Sequence, residues 1–215
     1  MRTLNPFLRS YQYNYIKAQT KILLNGLAAT SDPNVARARK DIAVENVLSL
    51  LPDMNEEQKA LLIQIGDIQE NADAKRFLSQ LQPLVLPFPT VTEQTIKKLF
   101  PKAKKLKAPA MKDINLTELT YMSWHDDGTQ RKYIIAEVGG KFYGFHGTFA
   151  PMNKKSVCAL CNRFEEVGMF LSEVKSSGDG SYTKRGNYIC QDGQTCNHNI
   201  ISNEKLDDFV RMMIE

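Results

Sequence analysis

The chain has 215 residues, of which 42% are hydrophobic and 24% charged, and a formal net charge of +4. That balance is ordinary for a folded globular protein and argues against disorder. From Met1 to Pro6 there is no apolar secretory core of about 7–15 residues, and no run approaches the roughly 18 apolar residues that span a bilayer. A soluble, cytoplasmic protein with no membrane partner is expected.

The first part of the chain carries apolar residues at steps of three and four. Leu8, Tyr11, Tyr15, Ala18 and Ile22 share one face of a first helix, so they are expected to be buried, with Tyr11 and Tyr15 read as core. Ser31-Asp32-Pro33 supplies a cap and a first-turn proline for a second helix, with Val35, Ala38, Ile42 and Val47 inward and Pro52 ending it. Asp53 or Asn55 can cap a third helix bearing Leu61, Leu62, Ile65 and Ile68, and a fourth starts near Asn71 with Phe77, Leu78 and Leu81. Short connections force antiparallel neighbours, so a four-helix bundle over residues 1–83 is the economical packing.

Pro83, Pro87 and Pro89 then break the helical period, which places a domain boundary there and a second domain over 84–215. Thr90 with Glu93 reads as a capping box for a short helix holding Ile96, Leu99 and Phe100. Between Lys97 and Lys112 lie seven lysines and no acid. Such a segment suits RNA, an acidic protein surface or plain solvent, and few aromatics interleave to stack on bases.

Beyond it the period changes to two. Leu119 to Trp124 and Tyr133 to Val138 read as strands, and Gly139-Gly140 joins the latter to Lys141–Phe149 as a two-residue hairpin. His125-Asp126-Asp127 resembles a catalytic cluster only superficially, because Asp-Asp-Gly128 is turn chemistry. Val167 to Lys175 and Tyr182 to Ile189 flank a second hairpin, and a closing helix from Asn203 buries Leu206, Phe209, Val210 and Met213.

All four cysteines lie late in the chain, as Cys158-x2-Cys161 and Cys190-x5-Cys196. A two-residue spacing lets a tight turn aim both sulfurs at one tetrahedral metal, and closed zinc sites commonly use four thiolates. Disulfides conflict with a reducing compartment, and a redox pair would leave Cys190 and Cys196 unexplained. One structural Zn²⁺ is therefore expected, with His198 as the alternative to Cys196 and otherwise an exposed loop residue. Four thiolates and one Zn²⁺ together carry −2, which would bring the net charge to +2, weak grounds for nucleic-acid binding. Knuckle, hairpin, second pair and helix follow the order of a treble-clef module at about 155–215. The expected class is α+β: an N-terminal helical bundle followed by an α/β domain containing this four-cysteine zinc finger. No P-loop, nucleophile elbow, His-Glu-x-x-His or dinucleotide fingerprint is present, so nothing argues for an enzyme.

Tyr11-Gln-Tyr-Asn-Tyr-Ile16, Arg131-Lys-Tyr-Ile-Ile135, Cys158-Ala-Leu-Cys-Asn162 and Gly186-Asn-Tyr-Ile-Cys190, with Cys196 after them, resemble the FusB-type elongation-factor-G-binding proteins nearly end to end. The resemblance implies a helical bundle with a treble-clef zinc domain that binds elongation factor G and helps release it from ribosomes on which fusidic acid has trapped it, without catalysis. It implies Cys158, Cys161, Cys190 and Cys196 as zinc ligands, and Arg185, Tyr188 and Phe209, with Lys184 beside them, as contacts with the factor. The ribosome would be an indirect partner and the protein a monomer. A ribosome-associated RNA-binding module acting on rRNA through Lys97–Lys112 is the alternative. Where well-known members carry phenylalanine before the first cysteine, this chain has Val157, which offers less contact area.

Overall fold

The computed structural model describes residues 4–103, 106, 109, 114–126, 128–175 and 182–214. The chain divides into two compact units, Met1–Leu86 and Pro87–Glu215.

In the first unit α1 spans Ser10–Ala28, α2 Pro33–Leu48, α3 Glu56–Ile63 and α4 Asn71–Leu81. Local chemistry starts three of them. The Asp32 carboxylate accepts from the Asn34 N–H ahead of Pro33 at 2.8 Å, Asn55 and Gln58 exchange side-chain-to-backbone bonds, and Asp73 accepts from Gln69 and Glu70 N–H groups. Leu62, Ile65, Ile68, Phe77 and Leu81 are buried as expected, although Ile65 sits in a single 3-10 turn after α3.

The buried faces of α1 and α2 depart from the sequence expectation. Ile22 is 59% exposed and Ile42 55%, Ala38 is exposed, and Tyr11 and Tyr15 are only half-buried. The covered face of α1 carries Gln12, Ile16, Gln19, Thr20 and Leu23, and that of α2 Ala43 and Val47. Polar groups can lie inward because each has a partner: Gln19 Oε1 accepts from Asn46 Nδ2 at 3.2 Å, and the Thr20 hydroxyl donates to Lys17 O at 2.8 Å. Leu8 is buried, but in extended chain before α1. It pairs with Val85, its N–H donates to Leu84 O and its carbonyl accepts from Leu86 N. The second helix ends at Leu48, before Pro52.

The second unit opens with α5, Glu93–Leu99, capped by Thr92 rather than Thr90: Thr92 Oγ1 accepts from Thr95 N at 3.1 Å. Val91 is buried, and the helix begins only after it. A five-stranded antiparallel meander follows in sequential order, β1 (Tyr121–Asp126), β2 (Arg131–Val138), β3 (Lys141–Val157), β4 (Phe164–Lys175) and β5 (Tyr182–Cys190). Gly139 and Gly140, at φ +60° and +79°, make the tight β2–β3 turn that only glycine adopts without strain. The Asp126 turn is structural: Thr129 donates to its carbonyl and carboxylate. β3 runs eight residues past the expected Phe149, with a register shift between Pro151 and Lys155 where proline lacks a donor.

Both sheet faces are covered along β2, so Lys132 to Ala136 are all buried despite their alternation. On one face Phe100, after α5, meets Tyr133 and His146 edge-on. On the other, α7 (Glu204–Ile214) sets Phe209 against Phe145 and Phe170, with centroids at 6.0 and 6.2 Å. Between β5 and α7 lies α6, Gly193–Asn199, a helix too short and polar for any apolar period to announce it. The Asp192 carboxylate caps it by accepting from Thr195 and Gln194 N–H groups. A Cβ at Gly193 would collide with the Ser123 hydroxyl, so glycine lets the helix start against β1.

Candidate metal centre and partner face

The first cysteine pair sits in the turn between β3 and β4. Cys158 N donates to Arg163 O and Asn162 N to Cys158 O, both at 2.9 Å, and Asn162 takes a positive φ of 53° to close the knuckle. Ala159 N donates to Tyr188 O at 2.8 Å, tying the knuckle to β5, which delivers Cys190 as its last residue. Cys196 comes from α6. That helix is held to β1 by buried Asn197, which donates to Tyr121 O and Gly193 O and accepts from Thr120 N and Tyr121 N.

All four sulfurs are buried and lie within 4.8 Å of one another. Cys158 and Cys196 are 3.7 Å apart, as are Cys161 and Cys190. A zinc–sulfur bond of about 2.3 Å gives a tetrahedron with an edge of about 3.8 Å, whereas a disulfide needs about 2.05 Å. The distances therefore fit a tetrahedral metal and no disulfide. Leu160 N and Cys190 N both donate to Cys158 Sγ, at 3.4 and 3.3 Å, which favours the thiolate. Hydrogen bonds from Cys161 and its neighbours hold Cys158 well below the usual thiol range, while Cys158 and the adjoining cysteines push Cys190 and Cys196 far above it. Four thiols this close cannot all ionise without a cation among them.

The surroundings suit that charge. Lys132 is 4% exposed, its ammonium donating to Cys190 O at 3.0 Å and Gln191 O at 2.7 Å and lying 4.5 Å from the centre of the Phe149 ring. Burial lowers its pKa, and the negative charge of Cys196 and Cys190 opposes that. Burial and then Cys196 raise the Tyr121 phenol well above its ordinary value, so it remains neutral beside the sulfurs. His198 lies outside the cluster on the exposed side of α6, its Nε2 3.2 Å from Glu118 Oε2.

The expected partner contacts are spread over the unit. Continuous β4–β5 pairing places Tyr188 opposite Met169 and Lys184 opposite Glu173 on the α5 side of the sheet, while Arg185, opposite Ser172, lies on the α7 side. Tyr188 is 37% exposed and Lys184 is exposed. Arg185 is half-buried, its Nη1 donating to Met212 O at 2.6 Å near the C-terminus of α7. Phe209 is 3% exposed, so its ring lies in the core with the rest of the apolar stripe of α7 and offers little free area for the contact that the resemblance implies. An exposed apolar pair near the knuckle carries no signal in the sequence. Phe164, 66% exposed, is the cross-strand partner of Val157, itself 54% exposed, so a free aromatic ring stands beside the smaller side chain. Only the strand register reveals that pairing. Of the lysine segment, Lys97, Lys98 and Lys102 are exposed, Lys97 lies 3.8 Å from Glu93, and Lys104, Lys105, Lys107 and Lys112 fall outside the described residues.

Knuckle, hairpin and cysteine-bearing helix around one closed sulfur cluster define a treble-clef zinc-binding protein. Residues 7–89 match the family model described as Elongation factor G-binding protein, N-terminal, and residues 97–213 the model described as FBP C-terminal treble-clef zinc-finger. The second match alone spans more than half of the chain, which therefore belongs to the FusB-type family of elongation factor G-binding proteins and holds one structural zinc. The chain is also similar to the solved structure of the fusidic acid resistance protein FusC, with 26% identity and a TM-score of 0.82 over 99% of this chain and 100% of that one. None of the curated proteins matches it. No described helix is long and apolar enough to cross a membrane.

Proposed function

We propose that this chain binds elongation factor G through its zinc-bearing unit and promotes the factor's release from the ribosome, relieving inhibition of translation by fusidic acid. The observation that carries the reading is the likeness to FusC over nearly the whole of both chains, alongside family matches in both halves. Cys158, Cys161, Cys190 and Cys196 are the proposed ligands of the zinc, which when bound ties the knuckle, β5 and α6 together and supplies folding free energy on the order of 10 kcal/mol. The protein acts by binding, in the cytoplasm, as a monomer.

β5 pairs only with β4 among the described strands and is therefore a sheet edge, where one partner can reach residues of both faces. Tyr188 and Lys184 on one side and Arg185 on the other form the proposed contact, with Val157 and Phe164 as a second apolar element. Tyrosine and arginine are frequent interface anchors. Release without touching the drug requires only that the chain bind the factor better in its departing state than in its trapped one.

Pull-down of purified elongation factor G without ribosomes is the test. Retention at moderate salt by the native chain, and loss of roughly tenfold or more in affinity with Tyr188→Ala or Phe164→Ala, is expected. Failure to hold the isolated factor, with binding to rRNA alone that fades steeply with salt, would reject the reading.

A further inference from the structure

The sheet of the second unit carries a concavity on the side that bears Lys184. On the α5 side, beyond the ground covered by Phe100, lies a cavity of about 600 Å³, within the roughly 300–1,000 Å³ of small-molecule sites. Strand pairing builds its floor: Arg131 pairs with Thr148 and Thr148 with Leu171 in one cross-sheet row, and Glu173 faces Lys184 in the next. Lys102, just after α5, closes one wall.

The lining is unusual in its charge. Among the described residues Arg131 and Lys184 bring two cations to one hollow with Lys102 beside them, Lys184 facing Glu173 and Arg131 facing the buried Asp126 across the strands. Among the described residues neither Arg131 nor Lys184 takes part in an ion pair. Like charges gathered in a concave site repel one another, and their field is focused into the hollow, so the arrangement favours an anion between them. His146 lies within that field: burial lowers its pKa, and the charges of Arg131 and Lys102 lower it further, leaving a neutral ring able to donate and accept hydrogen bonds. Thr148 adds a hydroxyl donor.

We propose that this cavity binds the phosphate groups of a small polyanion, of the pyrophosphate or nucleoside polyphosphate class, with Arg131 and Lys184 as its principal ligands and His146 as a hydrogen-bonding partner. The guanidinium of Arg131 can hold phosphate oxygens two at a time, and the lysines act as point charges. The inference does not rest on factor binding.

The fold supplies its own probe. Trp124, the sole tryptophan, stacks on Tyr133 at 5.3 Å and 13°, and Tyr133 stacks on His146 at 5.6 Å and 12°. Ligand contact with His146 should therefore alter tryptophan fluorescence. The experiment is a fluorescence titration of the full-length, zinc-loaded chain with pyrophosphate, GTP and ATP, and, for comparison, sodium chloride of matched ionic strength and a single-stranded RNA. Saturable signals with pyrophosphate or the nucleotides, weakened roughly tenfold or more by Arg131→Gln and by Lys184→Gln, support the proposal. Equal response to pyrophosphate and nucleotides assigns the affinity to phosphate alone, and tighter nucleotide binding adds a base contact. A response that follows ionic strength, one seen only with RNA, or one unchanged in both variants overturns it. Both substituted residues are exposed strand positions. Should Arg131→Gln lose its zinc, Lys184→Gln decides.

Discussion

The helical unit buries mainly aliphatic groups, Ile16, Leu23, Val47, Leu62, Ile65 and Leu81 among them, and its charged side chains serve helix ends or the surface. The sheet unit holds a lysine, an asparagine and four thiols inside its fold. The first is stabilised by many small, non-directional contributions, so losing one costs in proportion to the apolar mass removed. The second depends on polar groups with particular partners, and removing one leaves others buried and unsatisfied. Four experiments separate these modes of construction.

Zinc removal should have the largest effect. Chelation, or Cys158→Ser, withdraws folding free energy on the order of 10 kcal/mol from the sheet unit alone. Limited proteolysis should then cut within residues 87–215 while the helical signal in circular dichroism from 1–86 persists; simultaneous loss of both would show that the helical unit depends on the metal.

A matched pair comes next. Leu62→Ala, at a fully buried position, should cost about 2–5 kcal/mol in the helical unit. Asn197→Ala, which strands the Thr120 and Tyr121 N–H groups, should cost about 3 kcal/mol in the sheet unit. Denaturant melts of each variant with and without chelator separate them: the Leu62 loss should be the same in both conditions, and the Asn197 loss should vanish once zinc is gone.

Acid titration has a smaller effect. Burial opposes the shift, but hydrogen bonds from Thr195 and Gln194 and the charge of Lys132 hold the Asp192 carboxyl below the usual carboxylate value. Its stabilisation is therefore complete above the unfolded value of about 3.9 and is lost as pH falls through the lower folded one. Because Asp192 is largely exposed, Asp192→Ala should cost only about 0.5–1 kcal/mol at neutral pH, and less than that below about pH 3, as read from melts across that range. The smallest effect belongs to Ile22→Ala, expected within about 0.5 kcal/mol because that side chain is 59% exposed. A loss above about 2 kcal/mol would place it in a core after all.

The two regions also differ in how far residues announced their surroundings. In the sheet unit, alternation and glycine placement located the β2–β3 hairpin, and cysteine spacing located the metal cluster, because both depend on chemistry within a few residues. α7 was equally legible: Leu206, Phe209, Val210 and Met213 form a single apolar stripe and all four are buried. In α1 apolar residues are scattered around the helix, and the face that turned inward carries Gln12, Gln19 and Thr20. Spacing cannot show this, since a glutamine becomes a core residue only when a partner such as Asn46 comes from another helix.

The candidate site divides in the same way. Four thiols at those spacings determine a zinc cluster, because the metal dictates both ligand type and turn length. Which faces the proposed contact residues occupy was decided by tertiary structure. The register puts Tyr188 and Arg185 on opposite sides of β5, packing against Phe145 and Phe170 takes Phe209 out of solvent, and the β3–β4 pairing sets Phe164 beside Val157. The basic cavity, too, exists only because pairing across four strands sets Arg131 and Lys184 on the lining of one hollow. Local chemistry is encoded by neighbours along the chain, whereas burial and proximity are properties of the packed whole.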